Sequence, residues 1–586
     1  MHRMAVGASM CLRLALLPLC TSQGPAVLSP AYMGAAGPGP QHCDVLATLA
    51  TAGLANRDHP HLWLNSSSKG WVGGFPAVMW PYPQADRTWV PYLEKTKGVE
   101  FEVASDAELC TLLSHAAIRC AVKGVIIYEE SATLNALKWA AVSAAGQYDG
   151  IPATRAMIAK HACLAPMPVL YTIPPAATFA DDLAVYAWMA ESLLPKASTK
   201  VLVGACEGWA NYSCSAPLGM AAVDYAVATR AVVVNLSPDP AKHPDQHAMF
   251  AKFAAHLEPL GIFSGWATPE SMMVTLLSKK DGVVVMGAPN LSFLQSLKVS
   301  TTQLPHHRTK ARLDKTKIYL TFQSNEGDTP KNAYSFRGGN FLLDRSVPIS
   351  WGSAPIIAEL FPGLWEYYAL NAKDTDQFFS ATGGAGYAYP WSLPNPQAYF
   401  KKAARLNKAH MPAADSWVDV WDGGCPSNTT GVPAASVHQN PCLPMYGMFE
   451  KAAGFGGFSQ WCSNCNGTNG TINPHYVYND WQDGTPVFLQ PYSLWYPGDK
   501  KFCNKTGGGR GVRPSAASLA AEADCIEGIL RAVAEENAQR PLFVPAYGVE
   551  SYVDMAHAMQ ERLGSEFVIV GTQDFAALGR EAGPAV

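Results

Sequence analysis

Charge is what this sequence has least of. Asp, Glu, Lys and Arg make up 15% of its 586 residues, against roughly 25% in ordinary soluble domains. The net charge is −4 and no basic block stands out, which argues against nucleic acid as the main partner. The one basic cluster, HHRTKARLDKTK at 306–317, suits an exposed linker. Beyond the N-terminus no stretch approaches 18 unbroken apolar residues, so no membrane span is expected. Heptads, solenoid-length repeats and long low-complexity tracts are also lacking. No GxSxG sits at a strand-to-helix turn and no GxGxxG follows a strand with a helix behind it, which disfavours a serine hydrolase and a nucleotide enzyme. Nothing in the pattern calls for a cofactor or a metal.

What the chain does have points to the secretory route. MHRMAVGASMCLRLALLPLCTSQGPA combines early positive charge, a short apolar run interrupted by Arg13, and small residues near Ser22; residues 1–22 are expected to be a signal peptide. The C-terminal GREAGPAV carries neither an apolar anchor tail nor a KDEL-type signal. Asn-X-Ser/Thr occurs at Asn65, Asn211, Asn235, Asn290, Asn428, Asn466, Asn469 and Asn504, and all eight are expected glycan acceptors that would help keep a charge-poor surface soluble. Cys11 and Cys20 fall in the leader, leaving twelve of fourteen cysteines. Cys425, Cys442, Cys462, Cys465, Cys503 and Cys525 cluster among four of the sequons and read as disulfide-stapled loops. Cys462-Ser-Asn-Cys465 has the spacing of half a zinc site, but no second CxxC or paired histidine follows at ligand spacing. Cys206 and Cys214 flank a short loop and suit a mutual pair. Cys110 and Cys120, in a helical stretch, are expected as buried free thiols. A secreted protein, or one in the lumen of the secretory or lysosomal-vacuolar system, is the expected setting.

Apolar residues reach 48%, enough for several cores, and the length suits three or four domains. After a Pro/Gly-rich lead at 24–42, β-rich runs alternate with helical patterns. VKGVIIYEE (122–130) precedes the helical ATLNALKWAAVSAAG, and STKVLVGACEG, RAVVVNLSP and GVVVMGAPNLSF follow. Such alternation indicates α/β layers with parallel strands. We expect an α/β domain over 43–140, a second α/β region over 141–305 that could hold two small domains, and a linker at 306–316. Residues 317–580 then carry strand candidates at KIYLTFQS, VPISWGS, DQFFSAT, WVDVW, GFSQW, TPVFLQPYSLW, RPLFVPAY and EFVIVGT, with helical segments such as PQAYFKKAARLNKA between them. Seven or eight β units over about 260 residues is the size of a (β/α) barrel, whose chemistry lies beyond the C-terminal strand ends.

Those ends carry carboxylates and aromatics. The first leads to Glu326 and Asp328, the second holds Trp351, the fourth precedes Asp422, and the seventh leads to Glu550; His475 sits before the sixth. The third runs into ATGGAGYAYP at 381–390, followed by Trp391. In an extended segment Tyr387 and Tyr389 share one face, and Gly383, Gly384 and Gly386 allow close backbone approach. Sugars present C–H faces to aromatic rings and hydroxyls to carboxylates, and glycoside cleavage needs two carboxyl groups across the scissile bond. Each residue has a structural alternative. Glu326 and Asp328 could cap a helix, Asp422-Gly-Gly could be a turn, Trp351 could be core, His475 could be surface, and the tyrosines could pack inward.

Gly384-Ala385-Gly386-Tyr387-Ala388-Tyr389-Pro390 is the signature of the GxGYxYP family, whose members are described as glycoside hydrolases, and the chain resembles that family over roughly 43–575. Gly53-Leu54-Ala55-Asn56-Arg57 with HPHLWL after it is similar to the family's GLxNR segment. Val122-Lys123-Gly124, Asp224-Tyr225-Ala226-Val227-Ala228, Gly265-Trp266 and Trp351-Gly352-Ser353-Ala354-Pro355 resemble later landmarks. One position departs: where the family's first barrel strand usually ends Ser-Asp-Gly-Asp-Asn, this chain reads Asn325-Glu326-Gly327-Asp328-Thr329. The resemblance implies a barrel and a glycosidase acting on an oligo- or polysaccharide. Glu326, Asp328, Asp422 and Glu550 are the candidate catalytic acids, and Trp351, Gly384, Gly386, Tyr387, Tyr389, Trp391 and His475 the candidate sugar contacts.

Two other readings remain open. A secreted glycan-binding protein on a degenerate barrel would need only the aromatic platform and would tolerate the longer Glu326. A metal-dependent polysaccharide deacetylase is disfavoured, because Gln323 and Ser324 stand where its metal-binding acids would fall.

Overall fold

A computed structural model of the chain describes residues 27–29, 41–64, 83–103, 109–205, 222–305, 311–324, 330, 332–334, 338–381, 383–411, 417–421, 457–461, 479–482, 485–490, 493–495, 503, 515–548 and 552–583. Among the described residues the strands fall into four sheets. The first orders β2 (Leu62–Leu64), β1 (Val27–Ser29) and β3 (Glu102–Val103), all parallel. The second orders β5 (Gly150–Ala153), β4 (Gly124–Ile127) and β6 (Val169–Thr172), again parallel. Because β4 pairs with β5, this sheet spans the division expected near residue 140. The third orders β10 (Val283–Val285), β9 (Ile262–Trp266), β7 (Val201–Ala205) and β8 (Val232–Val234). Val-Val-Val in both β8 and β10 is fully buried, as parallel strands covered on two faces require.

The fourth sheet has ten strands: β11 (Ile318–Ser324), β12 (Ile349–Ser353), β13 (Asp376–Ser380), β14 (Trp417–Trp421), β15 (Gly457–Trp461), β16 (Asn479–Gln482), β17 (Thr485–Gln490), β18 (Ser493–Trp495), β19 (Leu542–Gly548) and β20 (Phe567–Ile569). Their order is β16-β17-β15-β14-β13-β12-β11-β19-β18, with β20 also against β11. Every pair but β16–β17 is parallel. The α/β class with parallel strands is therefore observed. The expected barrel of seven or eight strands is not: among the described residues the hydrogen-bonded ladder is open, with β16 and β18 at its ends. TPVFLQPYSLW, read as one strand, is two, because β17 pairs with β15 while β18 pairs with β19.

The two faces of this sheet bury different things. Ile318, Leu320 and Phe322 of β11 belong to the main apolar core. Tyr319 faces the other way and joins Phe379, Phe543 and Phe575 in a second cluster, the period-2 alternation of a strand. The helix Thr572–Ala582 closes this second face. Its start is held by Thr572 N, which donates to Ser350 Oγ at 2.8 Å, and by Gln377 Nε2, which donates to Asp574 Oδ2 at 2.6 Å.

Polar joints with little net charge tie the sheets together. Arg57 Nη2 donates to both Gly146 O and Val227 O at 2.9 Å, and Nε to Ala228 O at 3.1 Å. One guanidinium thus satisfies terminal carbonyls of the helices Ala136–Tyr148 and Val223–Thr229, where a cation is favoured. Asp149, left-handed at φ 57°, ion-pairs with the same guanidinium. Asn56 donates to Leu62 O and to Ser292 Oγ. Ser292 in turn donates through N and Oγ to Asp224 Oδ2 at 3.0 and 2.6 Å. Glu366, fully buried, accepts from Tyr92, Ser300 and Lys97, joining the first helical layers to the fourth sheet's helices. No helix among the described residues is long and apolar enough to cross a membrane.

Asp224 and Asp574 lie in these joints. Burial pushes both carboxyls up to about 6, with hydrogen bonds from Ser292 and Gln377 opposing the rise. A raised native pKa means the folded chain holds the proton more tightly. Each group therefore contributes stability that is whole below the unfolded value near 4 and is lost as pH rises through about 6. The expected outcome is a melting temperature that rises from about pH 8 to about pH 5, and a smaller rise in Asp224→Asn, whose share is up to about 3 kcal/mol. Calorimetric scans across that range check it; a midpoint that falls on acidification in that window contradicts it.

Candidate functional site

The loop after β13 carries the GxGYxYP signature, and its local sequence dictates its path. Gly384 has φ 108°, a region closed to residues with a Cβ. Gly386 runs so close to β10 that a Cβ there would stand 3.2 Å from Val283 Cβ and Cγ2. That approach lets Tyr387 make an antiparallel bridge with Val284: Val284 N donates to Tyr387 O at 2.9 Å and Tyr387 N to Val284 O at 3.2 Å. Tyr399 OH donates to Gly386 O and accepts from Ala385 N, and Tyr389 N donates to Ser278 Oγ at 3.0 Å. The signature is thus a joint between the third and fourth sheets.

Both tyrosines point into that joint. Tyr387 is 1% exposed and Tyr389 3%, and their hydroxyls meet at 3.4 Å. Tyr387 OH donates to Glu270 Oε1 at 2.6 Å, and its ring lies 6.5 Å from that of Trp266 at 30°. Burial, followed by the charge of Glu270, holds the phenol well above its ordinary pKa, so it remains a donor. The expectation that the two rings form a sugar platform is corrected here: neither offers a face to a ligand. Trp351 needs the same correction. It is fully buried, facing Phe341 with its Nε1 donating to Asp376 Oδ1 at 2.8 Å. Arg345 pairs with the same carboxylate at 2.9 Å. Alternation puts Ile349 and Trp351 on the main-core face of β12, with Ser350 and Gly352 on the face closed by the helix Thr572–Ala582. Gly384 is likewise buried within the joint, and Trp391 is partly buried beside it.

The catalytic candidates Glu326, Asp328, Asp422 and Glu550, and also His475, lie outside the described residues. What the structure does describe is the ground they spring from. Ser324 at the end of β11 is in register with Gly548 at the end of β19, and with Trp351 of β12. The strands leading to Glu326 and Glu550 are therefore neighbours ending at one level.

The cysteine and glycan expectations can be followed in part. Cys503 and Cys525 are disulfide-bonded to each other. Cys110, expected as a free thiol, is bonded to Cys163, and Cys120 is also disulfide-bonded; helical context did not reveal their partners. Asn290 is not an acceptor in the folded chain. It is fully buried, with Oδ1 accepting from Leu64 N and Nδ2 donating to Leu64 O and Tyr334 OH. Asn235 is partly exposed. Asn65, Asn211, Asn428, Asn466, Asn469 and Asn504 lie outside the described residues, as do Cys206, Cys214, Cys425, Cys442, Cys462 and Cys465.

Sequence reasoning missed Glu270, Asp574 and Gln377. The only signal for Glu270 was its place just beyond the Gly265-Trp266 landmark. For Asp574 and Gln377 no sequence signal set them apart.

Residues 316–420 match the family model described as "GxGYxYP putative glycoside hydrolase C-terminal domain". This segment is similar to the GxGYxYP C-terminal domain. Among solved structures, the crystal structure of a putative hydrolase from Bacteroides thetaiotaomicron VPI-5482 is similar, with a TM-score of 0.69 and 14% identity over 96% of each chain. At that identity the likeness is one of fold, and it runs through the GxGYxYP segment and the sheets before it alike. Among curated proteins none matches the chain.

In this GxGYxYP joint, Gly384→Ala is expected to destabilise the chain by about 1–3 kcal/mol, because the new Cβ is strained at a positive φ. Urea denaturation checks this, and an unchanged midpoint contradicts the geometry given for the signature.

Proposed function

We propose that this chain is a glycoside hydrolase of the GxGYxYP type, acting on an extracellular or endomembrane glycan. Its acid groups are Glu326 and Asp328 after β11, with Glu550 after β19 or Asp422 after β14 as partner. The observation that carries the reading is the Ser324–Gly548 register. Glu326 follows one of these residues by two positions and Glu550 follows the other by two. Neighbouring strands lie about 4.8 Å apart, and paired carboxyls within about 5–10 Å are what glycoside cleavage uses. A barrel-like curvature of the fourth sheet is part of the proposal. In its favour, β17 packs beside β19 although no hydrogen-bonded pair joins them. The disulfides support secretion, and the match over 316–420 supports the reaction class.

The test is reducing-end release from a panel of α- and β-linked oligosaccharides by the secreted protein, beside Glu326→Gln and Glu550→Gln. Release by the wild type, lowered at least about a thousandfold in kcat by Glu326→Gln, is expected for an essential acid. Binding of panel members without release by any variant would replace the hydrolase with a glycan-binding protein. Full release by Glu326→Gln would remove that residue from the reaction.

A further inference from the structure

The helix Pro396–His410 gathers charge of one sign in a chain that has little of either. It carries Lys401, Lys402, Arg405 and Lys408 and no acid, although acidic residues outnumber basic ones over the whole chain, 47 to 43. Lys401, Arg405 and Lys408 recur at i, i+4 and i+7, the spacing of one helix face, and all three are exposed. At 1.5 Å per residue the stripe runs about 10 Å along the helix. The other face, with Tyr399, Phe400 and Leu406, is buried in the core, which fixes the cationic face outward.

Neighbouring elements extend the stripe. Lys402, half-buried at its side, donates to Pro259 O at 3.4 Å. Burial, followed by the charge of Arg405, lowers its pKa; Lys200, just before β7, adds to the lowering, while Glu359 and Glu258 oppose it. Those two acids also have other partners: Glu359 lies 3.9 Å from His410 Nε2, and Glu258 accepts from Thr199 Oγ1 at 3.3 Å. Among the described residues none of Lys200, Lys401, Lys402, Arg405 and Lys408 forms an ion pair, whereas Arg57, Lys97 and Arg345 each do. Like charges at these spacings repel and weaken a helix. The helix dipole accounts for Lys408 in the last turn, but not for Lys401, Lys402 and Arg405 nearer the middle. A face kept only for solubility would serve as well with mixed signs, as in the helix Ala516–Glu536, where Arg531 pairs with Glu527 at 2.9 Å.

We propose that this face is a docking surface for an anionic polysaccharide, one whose sulfate or carboxylate groups repeat along its length. A linear array of exposed cations suits a linear polyanion, which makes several weak contacts at once. A membrane surface fits less well. Helices that bind lipid headgroups lay an apolar face into them, and the apolar face here is committed to the core. The large apolar residues exposed among the described ones, Val169, Met272, Leu342 and Leu370, lie on other elements. The inference goes beyond the hydrolase reading. None of these cations belongs to the strand ends that lead to the carboxylate candidates, so the surface holds a polysaccharide whether or not the chain cleaves it.

The experiment pairs binding with lysine labelling. The secreted protein is titrated at low salt with heparin, dextran sulfate, uncharged dextran, polyglutamate and phosphatidylserine vesicles. Beside it run the triple variant Lys401→Ala/Arg405→Ala/Lys408→Ala and a control, Lys95→Ala/Arg155→Ala/Lys242→Ala, which removes three scattered exposed cations. The two sulfated polymers are expected to bind the wild type and uncharged dextran is not. The helix variant should weaken heparin binding about 10- to 100-fold, the loss of three exposed charge contacts, and the control less than about threefold. Wild-type lysines are separately acetylated with and without heparin and mapped by peptide mass spectrometry. Heparin should slow acetylation of Lys401 and Lys408 more than of Lys95 and Lys242. Alanine is a strong helix former; if the variants still do not fold, the wild-type labelling alone decides. No binding of either sulfated polymer, equal losses in the two variants, or acetylation indifferent to heparin overturns the inference. Tighter binding of vesicles or polyglutamate than of heparin overturns it too, by putting a lipid surface or an acidic peptide in place of the polysaccharide. Failure here leaves the hydrolase reading standing, and failure of the release assay leaves this surface standing.

Discussion

One pair of backbone hydrogen bonds, between Val284 and Tyr387, sets the relation of the two halves of this chain. Val284 lies at the middle of a buried strand, so its free edge would otherwise present unpaired peptide groups, which are costly to bury. The signature loop satisfies them. Glycine suits that approach, because a Cβ on Gly386 would crowd Val283 at 3.2 Å. Once the bridge forms, the tyrosines before and after Ala388 are turned inward together, and their hydroxyls must find partners in Glu270 and each other. Loop path, ring burial and the placement of Glu270 all follow from that one constraint.

A chain with so few charges uses them sparingly and in closed groups. Arg345 and Asp376 are both buried and face each other, with Trp351 and Lys373 N completing the carboxylate's bonds. Glu366 is held below its ordinary pKa despite burial, by Lys97 and by hydrogen bonds from Ser300 and Tyr92. Asp224 and Asp574 accept hydrogen bonds from Ser292 and Gln377, and burial raises their carboxyls in spite of those bonds. Buried ionic groups cost desolvation unless fully paired, so these pairings define which elements must meet more than they add stability.

Much of the architecture was legible in the sequence. Apolar β-branched runs marked β4, β7, β8, β10 and the strands from β11 onward other than β16, and the helix Pro396–His410 stood where its periodic pattern lay. The short β5 and β6 were not, because Gly-Ile-Pro-Ala and Val-Leu-Tyr-Thr lack a run that differs from their surroundings; β16 was missed as an antiparallel edge beside β17. Period two correctly put Tyr387 and Tyr389 on one face, but periodicity does not say which face meets solvent. The same ambiguity made Trp351 look like a rim residue, whereas the helix carrying Tyr367 and Tyr368 covers it through Phe341. A sequon is a local pattern, and nothing local in Asn-Leu-Ser reveals that Asn290 is bonded to Leu64, more than two hundred positions away in the chain. Glu270 was illegible for the same reason, since its partner Tyr387 is supplied from the other side of a joint between sheets.

The most direct measurement of this account is native-state amide hydrogen exchange at Val284 and Tyr387, read by NMR or by high-resolution mass spectrometry. If the bridge joins the two sheets, both amides exchange slowly, with opening free energies within about 1 kcal/mol of each other, as members of one cooperative unit. A Tyr387 amide that exchanges like an exposed loop while Val284 stays protected would contradict the account, because the signature would then be a loop lying beside β10 and not a joint built on it.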